Sequence, residues 1–370
     1  MSLKIVLTGG GTGGHIFPLL AVARKIKEKR PEAEFLFLGP AGKMEKELML
    51  EKGIPLKGIV CGKMRRYFSF RNFTDIFKVP VGIIQSLWHL LFYMPDAIFS
   101  KGGYASLPVV LAGWVYRIPI MIHESDSIPG VANGILGKFS NSVAVSYPQA
   151  EGYFPASQVV LTGNPLQEDI MEGNAQKARE KFSLNEFKKV ILVLGGSQGS
   201  QIINEKILEV LPELLPKYQV IHQTGESHFK DVKKHAGELG IKAGHDGYFP
   251  IANYANEDLK DMLKVADMVI SRSGANSLSE IAANGKPAIF IPLMGSANNH
   301  QKMNAYSLAK VGACVVLEEN NLGKNIFLKN INELMEDQEL RGKLAEAIKA
   351  FYHPEAAERI ANEILKIIEA

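Results

Sequence analysis

Short apolar runs recur along the chain, each followed by a polar or glycine-rich turn and then by helical spacing. Ile5-Val6-Leu7 opens the series and Phe35-Leu36-Phe37-Leu38 follows it. Ala97-Ile98-Phe99, Ile120-Met121-Ile122 and Val143-Ala144-Val145 continue it. Between the first two runs, Ile16, Leu19, Leu20, Ala23 and Ile26 share one face at the 3.6-residue period. Buried strands alternating with helices predict parallel sheets covered on both faces. The series restarts at Val190-Ile191-Leu192-Val193-Leu194. It runs on through Gln219-Val220-Ile221, Met268-Val269-Ile270, Ala288-Ile289-Phe290-Ile291 and Cys314-Val315-Val316-Leu317. The expected fold class is therefore α/β, with two doubly wound domains.

The boundary is expected near Gly163-Asn164-Pro165, where a strand ends in turn chemistry, giving domains 1–163 and 164–353. The polar stretch from Gln167 to Lys181 reads as a linker and the helix that follows it. His353-Pro354 interrupts a helical pattern that resumes through Ile360 and Ile364, so a break is expected there. Topology suggests that the last helix, about 354–370, packs back on the first domain.

Composition narrows the class without naming it. A length of 370 residues suits two domains, and 46% hydrophobic with 22% charged residues is ordinary for a folded protein. Disordered, collagenous and coiled-coil classes are excluded. Two cysteines, Cys61 and Cys314, are too few for a disulfide framework or a zinc site. A net charge of +3 does not by itself imply nucleic acid. Met1-Ser2-Leu3-Lys4 leads straight into a strand, so no signal peptide is expected. The longest uncharged stretch, Val79 to Pro95, holds Pro80, Gln85 and His89 and falls short of the ~20 apolar residues of a span.

The turns carry the chemistry. The first strand ends in Gly9-Gly10-Gly11-Thr12-Gly13-Gly14-His15, and a helix starts directly after it. Glycine lets the backbone approach a ligand, and a helix N-terminus favours phosphate. A bare strand-to-helix turn needs far fewer glycines. A dinucleotide site would place a carboxylate at the end of the second strand, but Gly39-Pro40-Ala41-Gly42 has none. No Gly-Lys-Ser/Thr follows either, which excludes a Walker loop. Lys101-Gly102-Gly103-Tyr104 and Gly195-Gly196-Ser197-Gln198-Gly199-Ser200 are two further turns of this kind. Three such turns over two domains suggest that two separate anionic groups are held.

Ser271-Arg272-Ser273-Gly274-Ala275-Asn276-Ser277-Leu278-Ser279-Glu280 opens another helix. Glu280 is either a solvated helix charge or a carboxylate accepting two ribose hydroxyls. Asn298-Asn299-His300-Gln301 and Asn304 form a loop of amides and an imidazole, suited to sugar hydroxyls or to plain surface polarity.

Taken together and in this order, G-G-G-T-G-G-H at 9–15, K-G-G-Y at 101–104, H-E-S-D-S at 123–127, T-G-N-P at 162–165, G-G-S-Q-G at 195–199, S-R-S-G-A-N-S-L-S-E at 271–280 and N-H-Q at 299–301 are similar to one family. The chain resembles the MurG family of peptidoglycan N-acetylglucosaminyltransferases from about residue 3 to its end. The resemblance implies a GT-B fold, two Rossmann-like domains with a central cleft. It implies a hexosyltransferase that moves GlcNAc from UDP-GlcNAc to the C4 hydroxyl of the MurNAc-pentapeptide on undecaprenyl diphosphate. That converts lipid I to lipid II with inversion, at the cytoplasmic face of the bacterial cell membrane, as a peripheral enzyme of peptidoglycan synthesis.

By position, the resemblance places Thr12, Gly13, Gly14 and His15 near the donor sugar and the acceptor diphosphate, with Gly10, Gly11, Gly102, Gly103 and Tyr104 on the acceptor side. Ser197 and Gln198 meet the UDP phosphates; Ala275, Asn276, Ser277, Leu278, Ser279 and Glu280 hold the nucleotide, Glu280 on the ribose. His300 and Gln301 read the GlcNAc hydroxyls, and Asn256, after Tyr254-Ala255, falls in the uracil-reading segment. The family usually has Gln-Asn where this chain has Ser125-Asp126, and an arginine where it has Gln167.

Inverting transfer needs a base for the acceptor hydroxyl and stabilisation of the leaving UDP. With no Asp-x-Asp pair for a nucleotide-bound metal, the leaving group is expected to rest on helix N-termini, loop amides and Arg272, with no metal or other cofactor. His15 is the leading base, since a helix N-terminus keeps an imidazole neutral; Glu124 and Asp126 compete, and a purely positional role for His15 is the alternative.

Between Lys57 and Lys78 lie six cations (Lys57, Lys63, Arg65, Arg66, Arg71, Lys78) against Asp75, interleaved with Tyr67, Phe68, Phe70, Phe73, Ile76 and Phe77. An apolar stretch with Ile83, Ile84, Leu87, Trp88, Leu91 and Phe92 follows. Together they read as an anionic-membrane contact through Arg65, Arg66, Phe70, Arg71, Phe73, Phe77 and Trp88, or as a core helix after a solvated loop. Another GT-B enzyme, such as a diacylglycerol glycosyltransferase or a UDP-GlcNAc 2-epimerase, or a non-catalytic UDP-sugar-binding subunit, are the other readings. An oxidoreductase is distant, for want of the ribose carboxylate.

Overall fold

The computed structural model describes residues 2–11, 13–62, 70–196 and 198–369. The chain forms two units: Met1–Gln167 with His353–Ala370, and Glu168–Tyr352.

The first unit is built on seven strands: β1 (Lys4–Thr8), β2 (Glu34–Gly39), β3 (Leu56–Gly58), β4 (Ala97–Ser100), β5 (Ile120–Glu124), β6 (Ser142–Val145) and β7 (Val159–Leu161). They run parallel in the order β3-β2-β1-β4-β5-β6-β7, with Ile5 opposite Phe35 on one side and Ala97 on the other. Successive residues of β1 serve opposite faces. Ile5 and Leu7 join Phe37, Phe99, Ile16, Leu19 and Ile26 on one side. Val6 joins Leu38, Ile98, Ile122, Val109 and Val110 on the other.

The helix Ala356–Glu369 packs in the first of these clusters through Ala357, Ile360, Ala361 and Ile364, an i, i+3, i+4, i+7 stripe. Burying each isoleucine contributes about 1.5–3 kcal/mol. The exposed pairs Lys29–Glu358 (2.7 Å) and Arg30–Glu369 (3.1 Å) add little beside that. The preceding helix, Gln338–Lys349, ends before His353-Pro354.

The second unit has six parallel strands: β8 (Lys189–Leu194), β9 (Tyr218–Gln223), β10 (Tyr248–Ile251), β11 (Met268–Ser271), β12 (Ala288–Phe290) and β13 (Val315–Val316). Their order is β10-β9-β8-β11-β12-β13. Ile191, Val193, Val220, Ile270 and Ile289 meet Ile207, Leu211, Phe327 and Ile331 in its core.

Besides β7, which the sequence marks only by its end near Gly163, two strands were not visible as apolar runs. β3 is three residues long and β10 contains Pro250. Both are edge strands, where a missing N–H or a polar residue is tolerated. Among the described residues no helix is long and apolar enough to cross a membrane. The helix Phe70–Tyr93 carries Pro80 within it.

Strand order positions the glycine turns. In each unit the chain steps one way from the first strand (β1 to β2, β8 to β9) and later returns to its other side (β4, β11). Ligands of open α/β sheets bind at this switch point, beyond the carboxyl ends of the strands. Gly9–Gly14 follows β1 and Lys101–Tyr104 follows β4; Gly195–Ser200 follows β8 and the Ser271–Glu280 segment includes the end of β11.

Candidate functional site

In the first unit the two switch-point turns interlock. Gly10 and Gly11 take φ of 128° and 89°, and a Cβ on Gly10 would stand 2.8 Å from Pro40 Cγ. Only glycine fits there. Gly11 donates its N–H to Glu45 Oε1 at 3.0 Å, and Glu45 is buried. The helix Gly13–Lys29 starts at this turn, so its positive end lies there. Gly102 and Gly103 take φ of 82° and 80°. The His15 ring stands over Gly103, its Nε2 3.5 Å from where a Cβ would be, and the Tyr104 hydroxyl stands over Gly11 at 3.0 Å by the same measure.

β5 delivers His123 and Glu124 to the same end. Glu124 is buried and organises the turn after it. Its carboxylate accepts from Asp126 N–H (2.9 Å), Gly130 N–H (3.1 Å) and Asn133 Nδ2 (3.0 Å). Burial first, and the neighbouring Asp126 charge second, push its pKa up to about 7, against the hydrogen bonds and Lys101. His123 Nε2 lies 3.1 Å from the Gly163 carbonyl and 3.2 Å from Ser146 Oγ. Burial lowers its pKa well below the usual histidine range, with Lys101 adding to the effect. His15 is half-buried, and its Nδ1 is enclosed with no hydrogen-bond partner among the described residues. Burial, then the Lys101 charge, lower its pKa to about 4, while Asp126 opposes them. The imidazole is therefore neutral at pH 7 and able to take a proton.

The second unit repeats the scheme in different residues. Gly195 donates to Gln223 Oε1 at 2.9 Å, and Gly199, at φ 78°, lies against the Thr224 carbonyl. Ser200 caps the helix Gln201–Leu214 by accepting from Ile203 N–H. Beneath this turn, His222 is fully buried with Nδ1 2.9 Å from Tyr248 OH and Nε2 3.0 Å from Asn204 Oδ1; Asn204 Nδ2 donates to the Thr224 carbonyl. After β11 the helix Ala275–Ala283 begins behind Gly274, where a side chain would meet open space. Glu280 is half-buried on that helix; its carbonyl accepts from Asn284 Nδ2 at 3.0 Å, but its carboxylate makes no hydrogen bond or ion pair among the described residues, and burial pushes its pKa up to about 7. Tyr254 lies close enough for the Glu280 charge to help raise its phenol further.

The expected site residues fall into two sets. His15, Glu124, Asp126, Gly10, Gly11, Gly102, Gly103 and Tyr104 come together in the first unit, with Gly13 and Gly14 in the same turn. Gln167, which stands where the family usually has an arginine, is also in that unit, at its chain exit. Arg272, Ala275 to Glu280, His300 and Gln301 gather at the switch point of the second unit; Gln198 is exposed at its glycine turn. Thr12, Arg65, Arg66 and Ser197 lie outside the described residues, as do the side chains of Phe70, Arg71, Phe73, Phe77 and Asn256.

Two side chains stand differently from expectation. Arg272, expected on the leaving phosphate, is buried and internally bound: Nη2 donates to Ser200 Oγ (2.7 Å), Nη1 to the Ile291 carbonyl (3.0 Å), and Nη1 lies 2.6 Å from Glu319 Oε1. Gln301, expected on sugar hydroxyls, accepts Leu293 N–H through Oε1 at 3.0 Å, while its carbonyl accepts from Ser273 Oγ.

Sequence reasoning named Lys101 only as part of its turn, without a role of its own, and passed over Glu45, Gln223 and Glu319. Gln223 was legible in principle, since His222-Gln223-Thr224-Gly225 is a polar cluster closing a buried strand. Glu45 and Glu319 carry no such sign. Among the described residues no group of three or more His, Cys, Asp or Glu side chains is placed to hold a metal ion.

Comparison with known proteins gives a consistent picture. The family model for the glycosyltransferase family 28 N-terminal domain matches residues 5–145, and that for its C-terminal domain matches residues 190–361. A relative from Clostridium perfringens is 39% identical over 337 residues, 91% of each chain. One from Bacillus pumilus is 35% identical over 366 residues, 99% of each chain. Both are named UDP-N-acetylglucosamine–N-acetylmuramyl-(pentapeptide) pyrophosphoryl-undecaprenol N-acetylglucosamine transferase. The solved structure of Acinetobacter baumannii MurG superposes with a TM-score of 0.75 at 24% identity, covering 98% of this chain and 99% of that one, which speaks to the shared fold.

Proposed function

Because the chain belongs to glycosyltransferase family 28, we propose that it transfers N-acetylglucosamine from UDP-N-acetylglucosamine to the C4 hydroxyl of MurNAc-pentapeptide on undecaprenyl diphosphate, with inversion at the anomeric carbon. The observation that carries this reading is the pair of relatives named for that reaction, which align over nearly their whole length and so bring both units.

The first unit is assigned to the acceptor. Its two glycine turns and the positive end of the Gly13 helix suit a diphosphate. His15, neutral and seated on Gly103, takes the proton of the attacking hydroxyl. Glu124 holds the turn that carries Asp126. The second unit is assigned to the donor. Glu280 accepts the two ribose hydroxyls, a task its unpaired carboxylate suits. The amides at the start of the Ala275 helix and in the Gly195–Ser200 turn receive the charge that grows on the departing UDP. Arg272 acts through Ser200, by fixing that turn. Catalysis in this reading uses no metal and no other cofactor.

The enzyme works as a peripheral protein on the cytoplasmic face of the cell membrane, with no nucleic-acid partner. Supporting this, Val81, Ile84, Trp88, Leu91 and Phe92 are exposed along the helix Phe70–Tyr93, and the Trp88 and Phe92 rings meet at a tilt of 59° with 4.7 Å between centroids. Five exposed apolar side chains at i, i+3, i+7, i+10 and i+11 form a face that suits lipid, next to the basic 57–78 segment.

The test is UDP release from UDP-N-acetylglucosamine and, separately, UDP-glucose, with and without a short-chain lipid I analogue and EDTA. Release that needs the lipid acceptor and the N-acetylated donor, and survives EDTA, is expected. Release without acceptor contradicts the transferase reading, and loss with EDTA contradicts its metal-free part.

A further inference from the structure

Lys101 stands at the end of β4, at the switch point of the first unit, and is 2% exposed. Its N–H donates to the Thr8 carbonyl at 2.9 Å, and its Cβ lies 3.4 Å from where a Gly9 side chain would begin. The stem is thus held against the first glycine turn. Its ammonium makes no hydrogen bond or ion pair among the described residues. A buried cation with three donors and no acceptor is costly unless opposite charge is near. The charges that act on it are Glu124, at the end of β5, and Asp126, in the turn that follows. The other titratable groups around it are His15 from the Gly13 helix, His123 on β5 and Tyr104 two residues past Gly102, with Glu45 on the far side of Gly11.

We propose that Lys101 is a positioning residue for the transfer reaction: its buried ammonium is the fixed positive charge of the acceptor turn, biasing His15 further toward its neutral form and Glu124 toward its ionised form. This rests on the proposed acceptor role of the first unit. Burial alone would disfavour every charge in the cluster. A cation offsets that for carboxylates and reinforces it for an imidazole, so one residue biases all the candidate bases toward their proton-accepting forms. Burial lowers the pKa of Lys101 itself, and the two carboxylates hold it up.

The sign of the effect does not depend on which group is the base. Removing the cation raises the pKa of His15 and Glu124 alike. The variants are Lys101→Met, which keeps the stem and removes the charge, and Lys101→Arg, which keeps a cation. The His15 imidazole is titrated by NMR in each full-length protein, its signal identified among nine histidines by its loss in His15→Gln. The acid limb of kcat/KM for a lipid I analogue is measured alongside, with KM for UDP-N-acetylglucosamine as the control.

Lys101→Met should raise the His15 pKa and the acid limb by about one unit. Lys101→Arg should restore both toward wild type, and donor KM should stay unchanged. An unmoved His15 titration in Lys101→Met overturns the proposal, whether or not the protein transfers sugar. A wild type that fails to use the lipid acceptor while its His15 still responds to Lys101→Met overturns the acceptor reading instead. Should Lys101→Met fail to fold, Lys101→Gln carries the same titration.

Discussion

Arg272 Nη2 donates to Ser200 Oγ at 2.7 Å, tying the segment after β11 to the cap of the helix that follows the glycine turn of β8. The same guanidinium lies 2.6 Å from Glu319, with both side chains about nine-tenths buried. Breaking a buried ion pair from one side leaves the other charge unpaired, at about 3–5 kcal/mol. Arg272→Met is therefore expected to lower unfolding stability by that order, and Arg272→Met with Glu319→Leu to recover much of it. Donor KM should stay about tenfold high in both, since neither restores the Ser200 contact. A double variant with normal donor KM would show that Arg272 serves stability alone.

His15 is expected to act on the chemical step. His15→Ala should lower kcat by roughly 10²–10⁴-fold with little change in acceptor KM. The pH profile separates the candidates. If His15 is the base, the acid limb of kcat/KM lies near its pKa of about 4; if Glu124 is, the limb lies near about 7. A limb near 7, together with a His15→Ala variant that keeps its kcat, would transfer the role to Glu124.

Glu280 has its pKa raised by burial to about 7, above the ordinary carboxylate value of 4.5. The protonated fraction therefore falls as pH rises through 7, and the ionised form is the one that accepts two ribose hydroxyls. UDP affinity should strengthen from pH 6 to pH 8, with a proton released on binding below pH 7. Glu280→Gln should bind UDP about tenfold or more weakly and lose that pH dependence, by calorimetry in two buffers of different ionisation heat. A Glu280→Gln variant with wild-type affinity at every pH would take Glu280 off the ribose.

The parts legible in the sequence were those governed by strong local rules. Buried parallel strands such as Val190–Leu194 announce themselves as apolar runs, and turns such as Gly9–Gly14 by a run of glycines, of which Gly10 and Gly11 take positive φ. Family resemblance supplied the reaction. Partners between distant segments were not legible. Nothing in the stretch around Glu319 says that it meets Arg272, and nothing around Glu45 says that it receives the Gly11 amide. Both contacts depend on side chains converging from separate βα units. The same holds for two expected side-chain contacts: Arg272, expected from the mechanism on the leaving phosphate, and Gln301, placed by the resemblance on the sugar, are bound to their own chain.

The basic residues between Lys57 and Lys78, beside the exposed apolar face of the helix Phe70–Tyr93, predict salt-sensitive membrane binding. Trp88 is 62% exposed and Ile84 67%. Trp88→Glu with Ile84→Glu should leave the thermal transition nearly unchanged and cut sedimentation with anionic vesicles several-fold. Lys and Arg near anionic lipid contribute about 1 kcal/mol each, so high salt should release the wild type. Binding that ignores both salt and these substitutions would place the membrane contact elsewhere.

The central claim is a division of labour, with the nucleotide in the second unit and the acceptor diphosphate in the first. A crystal structure with UDP-N-acetylglucosamine tests it most directly. The account predicts uridine beside the Ala275–Ala283 helix, its ribose hydroxyls within hydrogen-bonding distance of Glu280 and its phosphates at the Gly195–Ser200 turn. Uridine seated against Gly9–Gly14, with Glu280 untouched, would contradict it.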